Sequence, residues 1–219
     1  MQFHISQITF PPDAEVIIRD VPWGEFERFM EELGERSSLR IHYSNKRIHL
    51  MAPSAGHEVP KVVIGDFIKY MLEHYHRDFQ GFGSVTLRNP SVEKAVEADE
   101  CFYIEHEAAV RGKDKISLDI DPPPDLAVEI DIYSATDRGL YAALGVPELW
   151  IYDGKRLEML LLRDGDYVAV DCSPHFPGLR LRDKVPALIA LGKQDGRNAA
   201  MKTFRAWVQE QAAGVGSRG

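Results

Sequence analysis

The most informative segment of the chain is residues 124–132, which read PDLAVEIDI. From Asp125 to Ile132, apolar side chains alternate with acidic or small ones, which predicts a β-strand with one apolar face. Asp125, Glu129 and Asp131 share the other face of this strand. Three carboxylates on one face repel one another, so we expect that face either to be solvated or to hold a cation.

The spacing along the strand separates these acids. At a rise of about 3.3 Å per residue, Glu129 lies about 7 Å from Asp131 and about 13 Å from Asp125. Asp125 is too distant to share a metal ion easily with Glu129, and we interpret it as structural. Glu129 is the stronger candidate for a metal ligand. The alternative interpretation is a sheet edge that carries solvated acids.

A second acidic cluster precedes another apolar strand. Residues 97–100 read EADE and lead into CFYI at 101–104. Taken alone, the cluster is better explained as an ordinary charged loop that enters a strand. If this strand lies beside the one at 125–132, an acid from each would form half of a Mg²⁺ site.

The rest of the chain predicts an α/β or α+β fold, with a mixed central sheet flanked by helices. Helices are predicted at Trp23–Leu33, Glu58–His76, Arg138–Leu144, Lys184–Leu191 and Asn198–Ala212. Strands are predicted at Leu39–Tyr43, Arg47–Met51, Ser84–Leu87, Glu100–Ile104, Glu148–Tyr152, Lys155–Arg163 and Tyr167–Asp171, besides Asp125–Ile132. We expect residues 1–219 to form one domain, with a C-terminal helical tail at about 184–219.

Composition narrows the class of protein further. The chain has 219 residues, of which 44% are hydrophobic and 27% charged, so neither disorder nor a membrane protein is expected. The first residues, MQFHISQITF, lack the basic-then-apolar order of a secretory signal, and we expect a cytoplasmic protein. The net charge of −8 weakens the case for nucleic-acid binding, because phosphate contacts supply most non-specific affinity. A local basic surface, or one formed across a dimer, would compensate.

Three blocks of sequence resemble a known superfamily when they are taken together. They are EADECFYI at 97–104, PDLAVEID at 124–131 and YAALGVPELWIYD at 141–153. Their order and spacing are similar to the PD-(D/E)XK nucleases, and specifically to the Uma-type family of restriction-endonuclease-like proteins. The likeness runs from about Gly24 to the predicted hairpin near Asp171.

The resemblance implies a restriction-endonuclease-like fold and a role for particular residues. Asp99 matches the aspartate of the family motif and Glu129 matches its second metal-binding acid. His57, after a Pro-Ser turn at the start of the long helix, matches a histidine that family members carry. Double-strand cleavage by this kind of fold uses two active sites, so the resemblance also implies a homodimer.

Two positions depart from the motif. Ala98 stands where the motif has proline, which only shapes the backbone. Asp131 stands where the motif has the lysine that orients the attacking water and offsets phosphate charge. Arg138 and Lys94 are the replacement cations that this sequence offers. Arginine cannot act as a general base, so Arg138 would only stabilise charge.

The leading hypothesis is therefore a metal-dependent endonuclease that hydrolyses phosphodiester bonds of DNA. Asp99, Glu129 and the backbone carbonyl of Ile130 would hold Mg²⁺ or Mn²⁺. The surrounding residues would be His57, Asp131, Lys94 and Arg138.

The geometry that this hypothesis requires is specific. The two metal-binding carboxylates should lie within about 5 Å of each other. The Arg138 guanidinium should reach between Glu129 and Asp131, and Lys94 and Arg138 should line one rim of the cleft. Arg138 is equally well explained as a surface arginine capped by Asp137. Two alternatives stay open: an inactive nuclease-like domain that binds nucleic acid or protein, and a metal-free interaction protein whose acidic face is solvated.

Overall fold

The computed structural model describes residues 11, 14–34, 39–132 and 135–216. Residues 1–10 and 217–219, at the two ends of the predicted domain, lie outside the described residues. The helices are α1 (Trp23–Leu33), α2 (Ala55–His74), α3 (Glu107–Val110), α4 (Arg138–Ala143), α5 (Leu181–Asp195) and α6 (Arg197–Gly216). The strands are β1 (Glu15–Arg19), β2 (Arg40–Ser44), β3 (Arg47–Met51), β4 (Gln80–Gly81), β5 (Val85–Asn89), β6 (Lys94–Ala98), β7 (Glu100–Tyr103), β8 (Leu126–Ile130), β9 (Glu148–Tyr152), β10 (Leu157–Arg163) and β11 (Asp166–Val170).

The strands form two sheets. One is antiparallel, in the order β1-β3-β2-β6-β5, and the other is mixed, in the order β11-β10-β9-β8-β7-β4. In the mixed sheet β8 and β9 are parallel, and the intervening chain, which contains α4, makes the crossover between them. The predicted fold class, a mixed sheet flanked by helices, is confirmed, and the structure adds the antiparallel sheet.

A single residue, Asp99, separates β6 of the antiparallel sheet from β7 of the mixed sheet. Strand β6 ends at Ala98 in the antiparallel sheet, and β7 begins at Glu100 in the mixed sheet. Asp99 lies between them, so its side chain projects where the two sheets meet. The sequence pattern predicts β7 but not β6, because it assigns residues 97–100 to a charged loop.

The two faces of β8 pack against different helices. Its apolar residues, among them Val128, share a core cluster with Phe67 of α2. On the opposite face Ala127 shares a second cluster with Tyr141 of α4. Glu129 lies two residues after Ala127, so its side chain is on the same face of β8 and points toward α4. It is only 6% exposed. The solvated sheet edge that we considered as an alternative is therefore wrong, because β8 is a central strand covered on both faces.

The C-terminal helices belong to the core of the mixed sheet. Phe204 of α6 is fully buried, and its ring lies 4.2 Å from that of Phe67 in α2, measured between centroids. Helix α5 begins at Leu181, three residues before its predicted start, and α2 begins at Ala55 rather than Glu58. No helix in the described part of the chain is long and apolar enough to cross a membrane.

Candidate active site

Asp99 and Glu129 face each other across the β7–β8 pair. The antiparallel register places Glu100 opposite Val128, and Asp99 is the next residue along. The Asp99 N–H donates to Glu129 Oε1 at 3.3 Å, and the Ile130 N–H donates to Asp99 Oδ2 at 2.9 Å. Each acid is thus bonded to the strand that carries the other. The expectation that these two strands are neighbours is confirmed.

Glu129 lies in surroundings that disfavour its negative charge. Burial raises the pKa of Glu129 well above its ordinary value, and the negative charge of Asp99 raises it further. The Tyr141 hydroxyl, on α4, donates a hydrogen bond to Glu129 Oε1 and opposes that rise. Ionised Glu129 is therefore costly here, and a cation beside it would offset the cost.

His57 contacts Asp99 from the first turn of α2. Its Nε2 lies 3.1 Å from Asp99 Oδ2, and the residue is 3% exposed. Its Nδ1 is buried and has no hydrogen-bond partner among the described residues. That nitrogen lies 3.5 Å from Glu58 Oε1, outside hydrogen-bond geometry. The structure thus brings His57 to the predicted site and leaves one of its ring nitrogens without a partner there.

Arg40, on β2, lies among the acids of the site. Its Nη2 is 2.8 Å from Asp99 Oδ1 and 3.3 Å from Glu58 Oε1, and its Nη1 is 3.6 Å from Glu97 Oε1. Nη1 also donates to the Ala98 carbonyl at 3.1 Å. Burial opposes the positive charge, but the carboxylates, Asp99 above all, outweigh it and raise the pKa of Arg40. Sequence reasoning missed this cation.

A small gap separates these side chains. Its volume is about 10 Å³, and the acids, Arg40, His57 and the backbone at Ile130 line it. Burial raises the pKa of Glu97 to about 7 and lowers that of His42 to about 4. Both shifts oppose charge, as expected for a confined site that already holds several ionisable groups.

Asp131 lies at the wall between this gap and a larger cleft of about 770 Å³. Its carboxylate accepts a hydrogen bond from the Thr136 N–H at 2.9 Å and another from the Thr136 hydroxyl. Burial raises the pKa of Asp131. Asp131 therefore borders the site but does not bond to Asp99 or Glu129.

The expected position of Arg138 is wrong. Its guanidinium donates two hydrogen bonds to Glu158 on β10, at 2.6 and 3.3 Å, and does not lie between Glu129 and Asp131. A two-pronged pair with a carboxylate suits the fork of arginine, and this pair holds the side chain in the outer cleft.

The expected position of Lys94 is also wrong. Lys94 opens β6, opposite Asn89, whereas Asp99 follows the other end of that strand. The two residues are about 16 Å apart along an extended chain. Lys94 and Arg138 therefore form no common rim at the site. Instead, Arg40 lies 2.8 Å from Asp99, and Lys61 Nζ lies 2.9 Å from Glu58 Oε2 nearby.

Asp125 has the structural position that we expected. Its carboxylate accepts hydrogen bonds from the N–H groups of Ile104 and His106, at 2.6 and 3.0 Å. His106 Nδ1 lies 2.6 Å from its second oxygen. Asp125 therefore fixes the segment after β7, at the end of β8 opposite Glu129.

These observations describe an α+β protein with two buried acids, each hydrogen-bonded to the strand that carries the other. The chain belongs to the Uma2 family, described as "Putative restriction endonuclease", whose model matches residues 23–191. A crystal structure from Anabaena variabilis, described as a "putative nuclease belonging to DUF820", is similar with a TM-score of 0.56. It is 13% identical, over 77% of this chain and 99% of that one, so the likeness establishes the fold alone. No curated protein matches the chain.

Proposed function

We propose that this protein is a metal-dependent endonuclease that hydrolyses phosphodiester bonds of DNA. The observation that carries the proposal is the pairing of Asp99 with Glu129 across β7 and β8, in a chain of the Uma2 family. Both acids are nearly fully buried. Burying two carboxylates together costs free energy of folding, and a bound cation would offset that cost, as is typical of functional sites.

The residues at the site fit a hard divalent cation. In the described part of the chain, no three acid, histidine or cysteine side chains are arranged as a complete metal-binding group. Mg²⁺ does not require one, because it is commonly held by one or two carboxylates together with water and substrate phosphate. The buried His57 Nδ1, which has no hydrogen-bond partner among the described residues, supports a site with a polar atom left for a further ligand.

Asp99 and Glu129 would hold the metal, with the Ile130 carbonyl as a third oxygen. The N–H and C=O of one strand residue point to the same side, and the Ile130 N–H points to Asp99. When bound, the metal would stabilise charge on the phosphate and lower the pKa of a bound water.

The remaining residues orient the acids and supply positive charge. His57 contacts Asp99 and holds the orientation of its carboxylate. Arg40 would take over the electrostatic role of the lysine that the motif lacks here, since it already lies 2.8 Å from Asp99. A guanidinium cannot accept a proton at neutral pH, so its part is to offset charge on the phosphate.

Nicking of supercoiled plasmid DNA and calorimetric titration with Mg²⁺ or Mn²⁺ test the proposal together. Asp99→Asn and Glu129→Gln should abolish nicking and weaken metal binding. Glu148→Gln is the matched control, because Glu148 is a fully buried acid of the same sheet that does not line the site. Nicking by Glu129→Gln at the wild-type rate, or metal binding of unchanged affinity, would overturn the proposal.

The second candidate function is that of an inactive nuclease-like domain, which binds nucleic acid without cleaving it. The position of Arg40 favours this candidate. A guanidinium bonded to Asp99 already supplies positive charge that a metal would otherwise bring. That candidate predicts retention of DNA in a filter-binding assay, with no nicking in Mg²⁺ or Mn²⁺ by either the wild type or the Glu129→Gln variant.

A further inference from the structure

Strand β1 forms an outer edge of the antiparallel sheet. It pairs with β3 on one side, and no described strand pairs with its other side. The Ala52 N–H donates to the Ala14 carbonyl at 3.2 Å, so the even-numbered residues direct their backbone groups toward β3. By alternation, the N–H and C=O groups of Glu15, Ile17 and Arg19 point outward, where a further strand can pair with them.

The side chains of β1 are unusually apolar for an exposed edge. Val16, Ile17 and Ile18 are 38, 40 and 37% exposed. The register places Val16 opposite Leu50 and Ile18 opposite Ile48, both of which are buried in the core beside α1. Cross-strand partners share a face, so Val16 and Ile18 extend that apolar core to the edge of the sheet.

The charges of β1 are placed at its two ends. Arg19 lies directly opposite Arg47 on β3, and two like charges in that position destabilise a sheet. No described acid lies within ion-pair distance of Arg19. Glu15, at the other end of the strand, lies 3.3 Å from His49 and is exposed. The edge therefore offers one acid and one arginine that is beside a like charge.

We propose that β1 pairs with β1 of a second copy of this chain, antiparallel, about a two-fold axis at Ile17. In that register Glu15 of each copy faces Arg19 of the other, Val16 faces Ile18, and Ile17 faces its own equivalent. The outward backbone groups of one copy meet the same set on the other, so all of them find partners. Each contact occurs twice because the interface is two-fold.

A second copy fits this edge better than an unrelated extended peptide does, because the sequence EVIIR is complementary to itself. Sliding the register by two residues would separate the ion pairs and leave outward backbone groups without partners. A standard protein interface buries about 1,200–2,000 Å² of accessible surface, and a pair of five-residue strands buries less. We therefore expect a dimer whose population depends on concentration.

The proposed interface would also lie beside the candidate site of each copy. Glu15 lines a pocket of about 170 Å³, together with His42, His49 and Arg40. Arg40 and His42 also line the gap that contains Asp99. The proposal itself does not depend on nuclease activity, since its evidence is the edge strand alone.

Sedimentation equilibrium of the full chain over a range of concentrations tests the proposal by charge reversal. Glu15→Arg and Arg19→Glu should each weaken dimerisation by about tenfold or more, and the double variant should restore most of the affinity. Arg163→Glu reverses an exposed charge on the other sheet and should change nothing. These positions are exposed, so we expect the variants to fold, and circular dichroism checks this.

Crosslinking tests the register separately. In a chain that carries Cys172→Ser, we expect Ile17→Cys to form an intermolecular disulfide under mild oxidation. Equivalent residues of such a pair lie about 5.5 Å apart at Cα, within the span of a disulfide. Ile120→Cys, at a position that is 79% exposed, is the control. Any one of four results would overturn the proposal. The wild type could stay monomeric, the dimer could tolerate either single charge reversal, the double variant could stay monomeric, or crosslinking could be equal at positions 17 and 120.

Discussion

The Arg40 guanidinium is only 4% exposed, and three carboxylates lie within 4 Å of it. Arg40→Met should lower the free energy of unfolding at pH 8 by about 3–5 kcal/mol, because removing one partner leaves buried charges uncompensated. The loss should shrink below pH 7, where Glu97, with a pKa of about 7, takes up a proton. Urea denaturation at pH 8 and pH 5 measures both effects.

Arg40→Lys is the control for this prediction. It keeps the charge but loses the fork that spans several carboxylates, so it should retain only part of the stability. Equal stability of Arg40→Met and the wild type at pH 8 would show that the charge is not needed to hold the acids.

Tyr141 contacts Glu129 through one hydroxyl, which can be removed alone. Tyr141→Phe should destabilise the fold by about 1–3 kcal/mol, because Glu129 Oε1 loses its donor from α4 inside the core. The ring itself stays packed. Chemical denaturation measures the change, and Tyr167→Phe, which removes a hydrogen bond to the Val146 carbonyl away from the site, is the matched control. A cost no larger than that of the control would contradict a special role for this bond.

Sequence reasoning found the residues of the site that lie in local patterns and missed those that do not. Asp99 and Glu129 each stand in an acidic or alternating stretch that can be recognised by itself. Arg40 lies in a hairpin strand, and only the folding of β2 beside β6 brings it to Asp99. Tyr141 belongs to the block at 141–153, in which no candidate site residue was predicted. It is buried, but its hydroxyl also bonds to the site.

At the level of elements, the start of β9 contains a further buried acid. Glu148 is fully buried, accepts hydrogen bonds from Trp150 Nε1 at 2.6 Å and Ser173 Oγ at 3.1 Å, and lies 3.6 Å from His175 Nε2. Burial raises the pKa of Glu148 to about 7. A carboxyl with a raised native pKa contributes stability that is complete below its unfolded pKa and is lost as the pH rises through its native pKa.

Glu148→Gln should therefore remove a pH-dependent loss of stability. Near pH 4.5 the variant and the wild type should unfold at similar temperatures. By pH 8 the variant should be the more stable by up to about 3 kcal/mol, since each unit of pKa is worth 1.36 kcal/mol. Thermal unfolding across this range measures the difference. Parallel curves for the two proteins would show that Glu148 titrates normally.

Helix α2 lies close to β7 at Gly65. A Cβ built at this position meets Glu100 Oε1 at 3.0 Å and Glu100 Cδ at 3.1 Å, so the buried carboxylate would have to move. Gly65→Ala should destabilise the protein by about 1–3 kcal/mol through this clash, despite the better helix propensity of alanine. In a Glu100→Ala background the same change should be neutral or stabilising, because the clash is gone. Denaturation of the four proteins gives the coupling energy. Equal effects of Gly65→Ala in both backgrounds would contradict the contact.

Elements with strong periodicity were predicted closely, and short or exposed ones were not. Helix α1 has its predicted bounds, because its apolar residues recur on one face and the chain turns at Pro22 and Gly34. Strand β1 has three consecutive apolar residues without alternation, since both of its faces are exposed, and therefore no strand was predicted there. The two-sheet arrangement depends on Asp99 separating β6 from β7, which no local pattern encodes.

At the scale of the whole molecule, α6 decides whether the chain behaves as one unit. It follows the family-matched residues 23–191, yet Ala200, Phe204 and Val208 are fully buried. Arg197, at its start, forms an ion pair with Asp66 on α2. The expected C-terminal tail is thus packed against the helix that also carries His57.

Phe204→Ala tests this unity through the size and the shape of the unfolding transition. The ring packs on Phe67, so its removal should cost about 3–5 kcal/mol and leave a cavity between α6 and α2. The chain has three tryptophans, so the measurement uses a Trp23→Phe, Trp150→Phe background in which fluorescence reports on Trp207 of α6. If the described chain is one cooperative domain, that fluorescence transition and the far-UV circular dichroism transition of the whole chain should shift together. Thr203→Ala, beside it on α6 but exposed, should change little. The opposite result would be a fluorescence transition that moves to lower denaturant while the circular dichroism transition stays in place. In that case α6 unfolds independently of the rest of the chain, and the predicted single domain would be wrong.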